Sequence, residues 1–270
     1  MAKQAVEHVR KLKGGAQAHL LRCDDGSYYV VKFQNNPQGL RILANEMLAG
    51  KLARVLGLPV PEPQVVEVSD WLVRHSPEMY IQWGSSRLPC ASGPQFGSQF
   101  PCDPLRIPVY DFLPDSLLSA VANRESFPGM LVFDKWTCNC DARQVVFFRH
   151  GNPDAPRYRT AMIDQGFCFN ANEWTFPDAP LRGLYSRLAV YEEIQGLHSF
   201  EPYLSRLQNL EEDFLEDAAA SIPPEWYGGE TEALHGLLAS LAERRAKVSQ
   251  LLAACRSSAK NPFPRWRQNV

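Results

Sequence analysis

Two aspartates, Asp141 and Asp164, lie 23 positions apart on either side of a segment whose pattern predicts two strands. Residues 145–148 form an apolar run, and residues 150–156 are rich in turn formers. Residues 158–163 form a second run that ends at Asp164. A strand–loop–strand unit places both carboxylates near the same end of a small sheet. Because burying an unpaired carboxylate is costly, this pair suits a site that holds Mg²⁺ and orients a hydroxyl group.

The two aspartates would have different roles in such a site. Asp141 would orient the hydroxyl group of a phosphate acceptor and accept its proton, and Asp164 would ligate Mg²⁺ together with Gln144. The alternative is that both aspartates cap loops, since aspartate is common in turns. Arg143, beside them, would hold a phosphate or pair with an acid, and the sequence leaves both roles open.

A lysine and a glutamate upstream favour the catalytic interpretation. Lys32 lies in a predicted strand rich in Tyr and Val, and Glu46 lies on the helix predicted to follow it. A strand lysine with a helix glutamate is the arrangement by which kinase folds position the phosphates of ATP. Taken singly, a surface lysine and a solvated glutamate are the simpler interpretations, because charged residues mostly face water.

A glycine turn precedes these two residues. It consists of Gly14, Gly15, Ala16 and Gln17. Glycine lets backbone amides approach phosphate oxygens closely, so the turn is a candidate nucleotide-binding element. An ordinary hairpin turn has the same composition, and this alternative stays open.

Strands come first along the chain and helices second. Before residue 113 the pattern predicts one helix over residues 40–56 and extended segments over residues 19–22, 27–33, 60–68, 71–73 and 107–112. Residues 89–104, with four prolines and two glycines, are predicted to form a long loop. The later predicted helices span residues 115–123, 130–136, 181–197, 200–220 and 230–255. This order predicts an α+β fold with two lobes, residues 1–113 and 114–270, and a cleft between them.

Composition and charge narrow the class of protein. At 45% hydrophobic, the 270 residues can bury one or two cores. The net charge of −2 and the pI of about 6.3 give no indication of binding to nucleic acids or to a membrane surface. Of the seven cysteines only Cys138 and Cys140 lie close together, which is a weak metal signal and more typical of packing. With no signal-like segment and no apolar run near about 18 residues, we expect a cytoplasmic protein without membrane contact.

The sequence resembles the HipA-like kinases, a bacterial branch of the protein-kinase-like fold, over roughly its first 170 residues. The matching segments, in order, are GGAQAHLL at 14–21, YYVVKF at 28–33, NEMLAGKLARVLGLPVP at 45–61, DKWTCNCD at 134–141 and MIDQGFCF at 162–169. The resemblance implies a two-lobed α+β fold with a β-rich N-lobe and a mainly helical C-lobe. It also implies transfer of the γ-phosphoryl group of ATP, with Mg²⁺, to a serine or threonine of a protein substrate.

The resemblance assigns roles to individual residues as well. Lys32 would contact the ATP phosphates and be held by Glu46. Asp141 would be the catalytic aspartate and Asp164 the metal ligand. The hinge reached by adenine would consist of Val109, Tyr110, Asp111 and Phe112.

The family also has a serine-containing loop in the N-lobe that can be autophosphorylated. It corresponds here to residues 90–100, with Ser92 and Ser98 among glycines and prolines. A phosphate there would add about 1.5 to 2 negative charges and could draw the loop out of the cleft. A long connection without any regulation is the alternative.

Two positions depart from the family pattern. An asparagine usually follows the catalytic aspartate five positions on, but this chain has Val146 there, so metal ligation would fall to Gln144. Gln165 replaces the phenylalanine of the Asp-Phe-Gly order of protein kinases, a change that the HipA-like branch tolerates. The first departure favours a rival interpretation, a nucleotide-binding pseudokinase that acts as a regulatory or interaction module. A small-molecule or lipid kinase is a third alternative, and the existence of an antitoxin-like partner is left open.

Overall fold

The computed structural model describes residues 2–151, 157–211 and 213–267. In these ranges the strands are β1 (Lys3–Lys11), β2 (His19–Cys23), β3 (Tyr28–Lys32), β4 (Pro63–Val68), β5 (Tyr80–Trp83), β6 (Ser86–Pro89), β7 (Gly93–Gln99), β8 (Val109–Tyr110), β9 (Gln144–His150) and β10 (Arg157–Ile163). The helices are α1 (Ile42–Val55), α2 (Asp70–His75), α3 (Asp115–Leu118), α4 (Ser126–Trp136), α5 (Tyr203–Gln208), α6 (Asp213–Ala219), α7 (Thr231–Arg244) and α8 (Val248–Arg256). Strands thus dominate the first part and helices the second, as predicted. None of the helices in these ranges has the length and apolarity needed to cross a membrane.

A closed barrel forms the N-terminal part of the protein. Its strands are hydrogen-bonded in the order β1-β2-β3-β7-β4, and β4 pairs with β1 to close it. The predicted strands over residues 19–22 and 27–33 are confirmed as β2 and β3, which pair antiparallel. Tyr29 and Val31 of β3 belong to the barrel core, whereas Val30 and Lys32 line a cavity on the opposite face. The two-residue period of the strand therefore aims Lys32 away from the barrel core.

The predicted loop over residues 89–104 contains a central barrel strand, β7, so this prediction is wrong. Ser98 pairs with Val30 of β3 on one side and with Pro63 of β4 on the other. Pairing on both sides outweighs the low strand propensity of glycine and proline. The expectation that Ser98 lies in a mobile loop is wrong, because a strand paired on both sides holds it in place. Autophosphorylation of Ser92 or Ser98 stays a prediction. Ser92 lies directly before the strand.

Two short elements also differ from their predictions. Residues 71–73, predicted as a strand, belong to α2. Ser69 caps this helix, since its Oγ accepts a hydrogen bond from the N–H of Leu72 at 3.1 Å, and this cap outweighs the strand propensity of the aromatic and β-branched residues. The helix predicted over residues 115–123 is reduced to α3, after which the chain forms turns.

The C-terminal part is less regular than the sequence pattern predicts. Residues 181–197 form turns and a short 3₁₀ segment where a helix is predicted. Near the start of this range a helix is interrupted at Gly183, which has a φ of +71° and approaches Asp134 so closely that a Cβ would overlap it. The helix predicted over residues 200–220 is divided into α5 and α6. The one predicted over residues 230–255 is divided into α7 and α8 by a 3₁₀ turn.

The main hydrophobic core joins α1 and α4 to the C-terminal helices. It contains Leu48 of α1, Phe133 of α4 and Leu241 of α7. The indole N–H of Trp136, fully buried at the end of α4, donates to the carbonyl of Leu241 at 2.8 Å. The strands β8, β9 and β10 form a separate sheet beside this core. The core continues across residue 113, and the division of the chain into two lobes at that point stays a prediction.

We expect Gly97→Ala to lower the free energy of unfolding by about 1–3 kcal/mol, because its added methyl group would overlap Cγ2 of Val66 in the barrel. Gly236→Ala is the matched control. Gly236 lies in α7 with open space around its Cβ position, so the same change should stabilise the protein by about 0.5–1 kcal/mol. Urea denaturation measures both variants. Wild-type stability of Gly97→Ala would contradict the placement of β7 inside the barrel.

Candidate active site

The hairpin of β9 and β10 brings Asp141 and Asp164 together, as the sequence predicts. The strands pair antiparallel with Gln144 opposite Ile163. Asp141 therefore comes shortly before β9 and Asp164 directly after β10, so both lie at the same end of the hairpin. Both side chains line one cavity of about 760 Å³ whose walls come from the barrel and from the β9–β10 sheet. This cavity is the candidate active site.

Lys32 of β3 contacts two carboxylates at the wall of the cavity. Its Nζ donates to Oε1 of Glu46 and, at 2.7 Å, to Oδ1 of Asp164. Burial alone would lower the pKa of Lys32, but the two carboxylates outweigh burial and the pKa is raised. Burial also opposes ionisation of Asp164, yet Lys32 holds the pKa of that carboxyl group below its usual range. The cavity therefore contains a fixed cation and a fixed anion at neutral pH.

Glu46 joins Lys32 to the turn after β10. Its Oε1 accepts from the N–H of Gly166 at 2.9 Å, and its Oε2 accepts from the N–H of Gln165 at 3.0 Å. Asp164 itself adopts a φ of +59°, a left-handed conformation that aspartate tolerates better than most residues. The bonds from Glu46 thus hold the turn that presents Asp164 to the cavity.

Arg143 pairs with a buried acid, which settles the alternative that the sequence left open. Its guanidinium donates to both carboxylate oxygens of Asp134, with Nε lying 2.9 Å from Oδ2, and both side chains are fully buried. Its Nη1 also donates to Oε1 of Gln165 at 2.5 Å and to the carbonyl of Ile163 at 3.0 Å. The planar fork of arginine allows these bonds at the same time. Arg143 thereby connects the loops that carry the two cavity aspartates.

Asn45, beside Glu46 on α1, holds the segment that follows Asp164. Its Nδ2 donates to the carbonyls of Gly166 and Ala171, both at 2.8 Å. Its Oδ1 accepts from the indole N–H of Trp174 at 2.7 Å. Sequence patterns do not identify Asn45, since an asparagine inside a helix gives no indication of its partners. A polar residue within an otherwise apolar helix face is the one hint of such a role.

The four residues of the glycine turn all line the cavity: Gly14, Gly15, Ala16 and Gln17. Gly14 has a φ of +125°, which requires glycine. The side chain of Gln17 is bound elsewhere, because its carboxamide exchanges hydrogen bonds with the backbone of Gln82 at 2.7 and 2.8 Å. Gln17 therefore anchors the turn to β5, and the backbone around the glycines faces the cavity.

Of the four residues predicted to form the adenine hinge, Val109 and Asp111 line the cavity. Tyr110 instead packs edge-on against Tyr158, with ring centroids 6.2 Å apart. Phe112 is 59% exposed and does not line the cavity. Successive side chains of an extended segment point to opposite faces, so Val109 and Asp111 share the cavity face and Tyr110 and Phe112 lie on the other. The contact of this segment with adenine stays a prediction.

The sequence analysis does not identify the apolar wall of the cavity. The wall includes Val30, Phe96, Phe100, Val146, Ile163 and Phe167. Phe96, Ser98 and Phe100 occupy every second position of β7 and the residue after it. This two-residue period is typical of one face of a strand and could have predicted it from the sequence. Val146, which replaces the family's asparagine, faces the cavity as an apolar residue. A cavity lined by both apolar and charged side chains suits a ligand with a planar base and phosphates.

Asp164 and Gln144 offer oxygen ligands for Mg²⁺. Gln144 directs its Nε2 to Oδ2 of Asp141 at 3.1 Å, which leaves its Oε1 for a metal ion. Groups of three or more His, Cys, Asp or Glu side chains that could hold a metal do not occur among the described residues. Mg²⁺ bound to a nucleotide usually needs one or two protein groups plus phosphate oxygens. The side chains present therefore fit nucleotide-bound Mg²⁺.

Cys138 and Cys140 lie beside the Asp141 loop. The thiol of Cys138 is buried and lies 3.7 Å from the carbonyl of Pro177. Burial raises the pKa of the Cys140 thiol, which keeps it protonated at neutral pH. Both observations agree with the packing role predicted for these cysteines.

A model of the family described as HipA-like kinase matches residues 6–259 of the chain. The structure is similar to that of the proinflammatory kinase CtkA of Helicobacter pylori, with a TM-score of 0.57, 13% identity, and coverage of 94% of this chain and 97% of that one. It is also similar to the Golgi casein kinase, with a TM-score of 0.52, 13% identity, and coverage of 96% of this chain and 75% of that one. A comparison with curated proteins gave no match. The structural similarities show a two-lobed, kinase-like α+β fold.

We expect Arg143→Met to lower the free energy of unfolding by about 3–5 kcal/mol, because Asp134 would keep a buried charge without a partner. Arg265→Met is the matched control, since Arg265 pairs with Glu193 at the surface and both side chains are more than half exposed. That variant should lose about 0–1 kcal/mol. Equal losses in the two variants, measured by urea denaturation, would contradict the structural role of Arg143.

Proposed function

The chain belongs to the HipA-like kinase family, and from this membership we propose that it transfers the γ-phosphoryl group of ATP, with Mg²⁺, to a serine or threonine hydroxyl of a protein. The observation that carries the proposal is the contact of Lys32 with both Glu46 and Asp164 in a cavity that Asp141 also lines. Both structurally similar proteins are kinases by name, which agrees with the proposal. An antitoxin-like partner stays a prediction.

Each charged side chain of the cavity has a role in this proposal. ATP would supply the phosphoryl group that is transferred. Lys32 would act as a point charge on the phosphates, and its two carboxylate partners keep it in place before the nucleotide binds. Asp164 and Gln144 would hold Mg²⁺. Their fixed positions mean that little reorganisation is needed as charge develops.

Asp141 would act on the acceptor. It is exposed at the mouth of the β9–β10 hairpin, and its Oδ1 and Oδ2 accept from Ala142 and Gln144. These bonds orient the carboxylate without burying it, so an incoming hydroxyl group can reach it. Asp141 would take the proton of that hydroxyl group as its oxygen bonds to the γ-phosphorus and the bond from that phosphorus to the leaving ADP breaks.

A nucleotide-binding pseudokinase is the second candidate function. The apolar Val146 in the cavity favours it, because this position lacks the oxygen ligand that the family's asparagine supplies. The Oε1 of Gln144, which has no hydrogen-bond partner among the described residues, favours the enzyme instead. Mg²⁺-ATP binding followed by a phosphate-transfer assay on protein and small-molecule acceptors separates the candidates. Binding without transfer would support the pseudokinase, and transfer to a small molecule alone would contradict the protein acceptor.

We expect Asp141→Asn to lower kcat and kcat/KM together by about 10²–10⁴-fold while ATP affinity and melting temperature stay near wild type. The reason is that Asp141 would act only as the transition state forms. Asp217→Asn, an exposed change on α6 away from the cavity, is the control. If Asp141 is only a loop cap, the variant should instead lose about 0.5–2 kcal/mol of stability and keep its turnover.

Asp164→Asn should abolish Mg²⁺-dependent nucleotide binding, because it removes the charged oxygen ligand. Gln144→Ala should cost less, since a carboxamide is a neutral ligand. Titration of ATP with and without Mg²⁺ gives the measurement, and the melting temperature shows whether loss of the Lys32 contact has altered the fold. Equal nucleotide affinity of the wild type with and without Mg²⁺ would rule out Asp164 as a metal ligand.

A further inference from the structure

The carboxylate proposed to act on the acceptor, Asp141, belongs to an exposed residue. Packing does little to hold an exposed residue, so its position depends on the hydrogen bonds of its loop. The carbonyl of Asp141 accepts from the N–H of Gly183 at 3.3 Å, and its N–H donates to Oδ1 of Asn139 at 3.1 Å. Asn139 therefore contacts the main chain at the point from which the Asp141 side chain leaves.

Asn139 itself is buried, with 1% of its surface exposed. Its Nδ2 donates to Oδ1 of Asp134 at 3.0 Å, and its N–H donates to the carbonyl of Asp134 at 3.1 Å. A bond from an asparagine oxygen to the N–H two residues on is, by itself, the Asx turn found in many loops. The second bond of the same carboxamide goes further, because it ties the loop to a buried carboxylate.

The carboxylate of Asp134 holds the loop on both sides of Asp141. Asn139 lies two positions before Asp141. Arg143, two positions after Asp141, donates to the same carboxylate through its Nε at 2.9 Å. Arg143 also donates to the carbonyl of Ile163, where the turn after β10 begins. The loop is thus fixed relative to the turn that would hold Mg²⁺.

We propose that Asn139 is a positioning residue for phosphate transfer, which sets the place of the Asp141 carboxylate relative to the bound nucleotide. Asn139 does not line the cavity, so it acts through Asp141 and touches neither the nucleotide nor the acceptor. Reacting groups must lie about 3–3.5 Å apart, and a misplacement of about 1 Å costs about 100-fold in rate. This inference rests on the proposed function.

The test measures phosphate transfer by the full chain at saturating Mg²⁺-ATP, with dephosphorylated casein and histones as acceptors. Asn139→Ala removes both bonds of the carboxamide. Asn139→Ser keeps an oxygen that can accept from the N–H of Asp141 but has no second group for Asp134. Asn123→Ala is the matched control, because the Asn123 side chain exchanges two 2.9 Å bonds with the backbone of Thr160 and does not line the cavity.

Each substitution is made in the wild type and in Asp141→Asn. Melting temperature and affinity for a non-hydrolysable Mg²⁺-ATP analogue are measured for every variant, and transfer is measured at a temperature at which all of them are folded.

In the wild-type background we expect Asn139→Ala and Asn139→Ser to lower the transfer rate by about 10- to 100-fold, with affinity for the analogue changed by less than about twofold. In the Asp141→Asn background, Asn139→Ala should lower the remaining rate by less than about twofold, because the carboxylate that it positions is gone. Asn123→Ala should lower the melting temperature and change the transfer rate by less than about twofold in either background.

A loss by the same factor in both backgrounds would identify Asn139 as a support of the fold in general and overturn the inference. Wild-type transfer by Asn139→Ser would overturn it as well, since the local turn would then suffice without the bond to Asp134. In both cases, transfer by the wild type and its loss in Asp141→Asn would leave the proposed function intact. If the wild type transfers phosphate to neither acceptor, the inference and the proposed function fail together.

Discussion

A buried lysine between two carboxylates connects the parts of this protein that form the cavity. Lys32 belongs to the barrel, Glu46 to α1, and Asp164 to the turn after β10. Each charge would be costly to bury alone, and their mutual attraction offsets much of that cost. The three elements must therefore stay together to keep any one of these charges buried. The need to keep these three charges together fixes the positions of Lys32, Glu46 and Asp164 in the site.

Buried polar side chains extend the same constraint to the rest of the site. Arg143 joins Asp134 to the turn that carries Asp164, and Asn45 joins α1 to the segment after it. Guanidinium and carboxamide groups bond in several directions at once, so two residues are enough to hold three segments. Dipoles and charges that are held in advance are those that stabilise a transition state most effectively. The charged residues of the cavity are accordingly held in place by hydrogen bonds, and apolar side chains complete its lining.

Sequence patterns predict the elements whose signal is local. The β2–β3 hairpin, α1 and the β9–β10 hairpin follow from periods of two and 3.6 residues and from turn formers between them. Where tertiary contacts oppose local propensity, the patterns are misleading. β7 is a strand despite its glycines and prolines because it pairs with β3 and β4. Residues 181–197 are not helical, and near their start Gly183 has a φ of +71° and packs directly on Asp134.

The sequence by itself determined which side chains could act and in which order: Lys32, Glu46, Asp141 and Asp164 follow from residue type, period and spacing. Only the tertiary structure decided that Arg143 pairs with Asp134, that Tyr110 packs outside the cavity, and that Asn139 links Asp141 to Asp134. The physical reason is that residue type and period are properties of a short segment. Partner choice depends instead on burial and on contacts such as that between Asn45 and Ala171, which lie far apart in the chain.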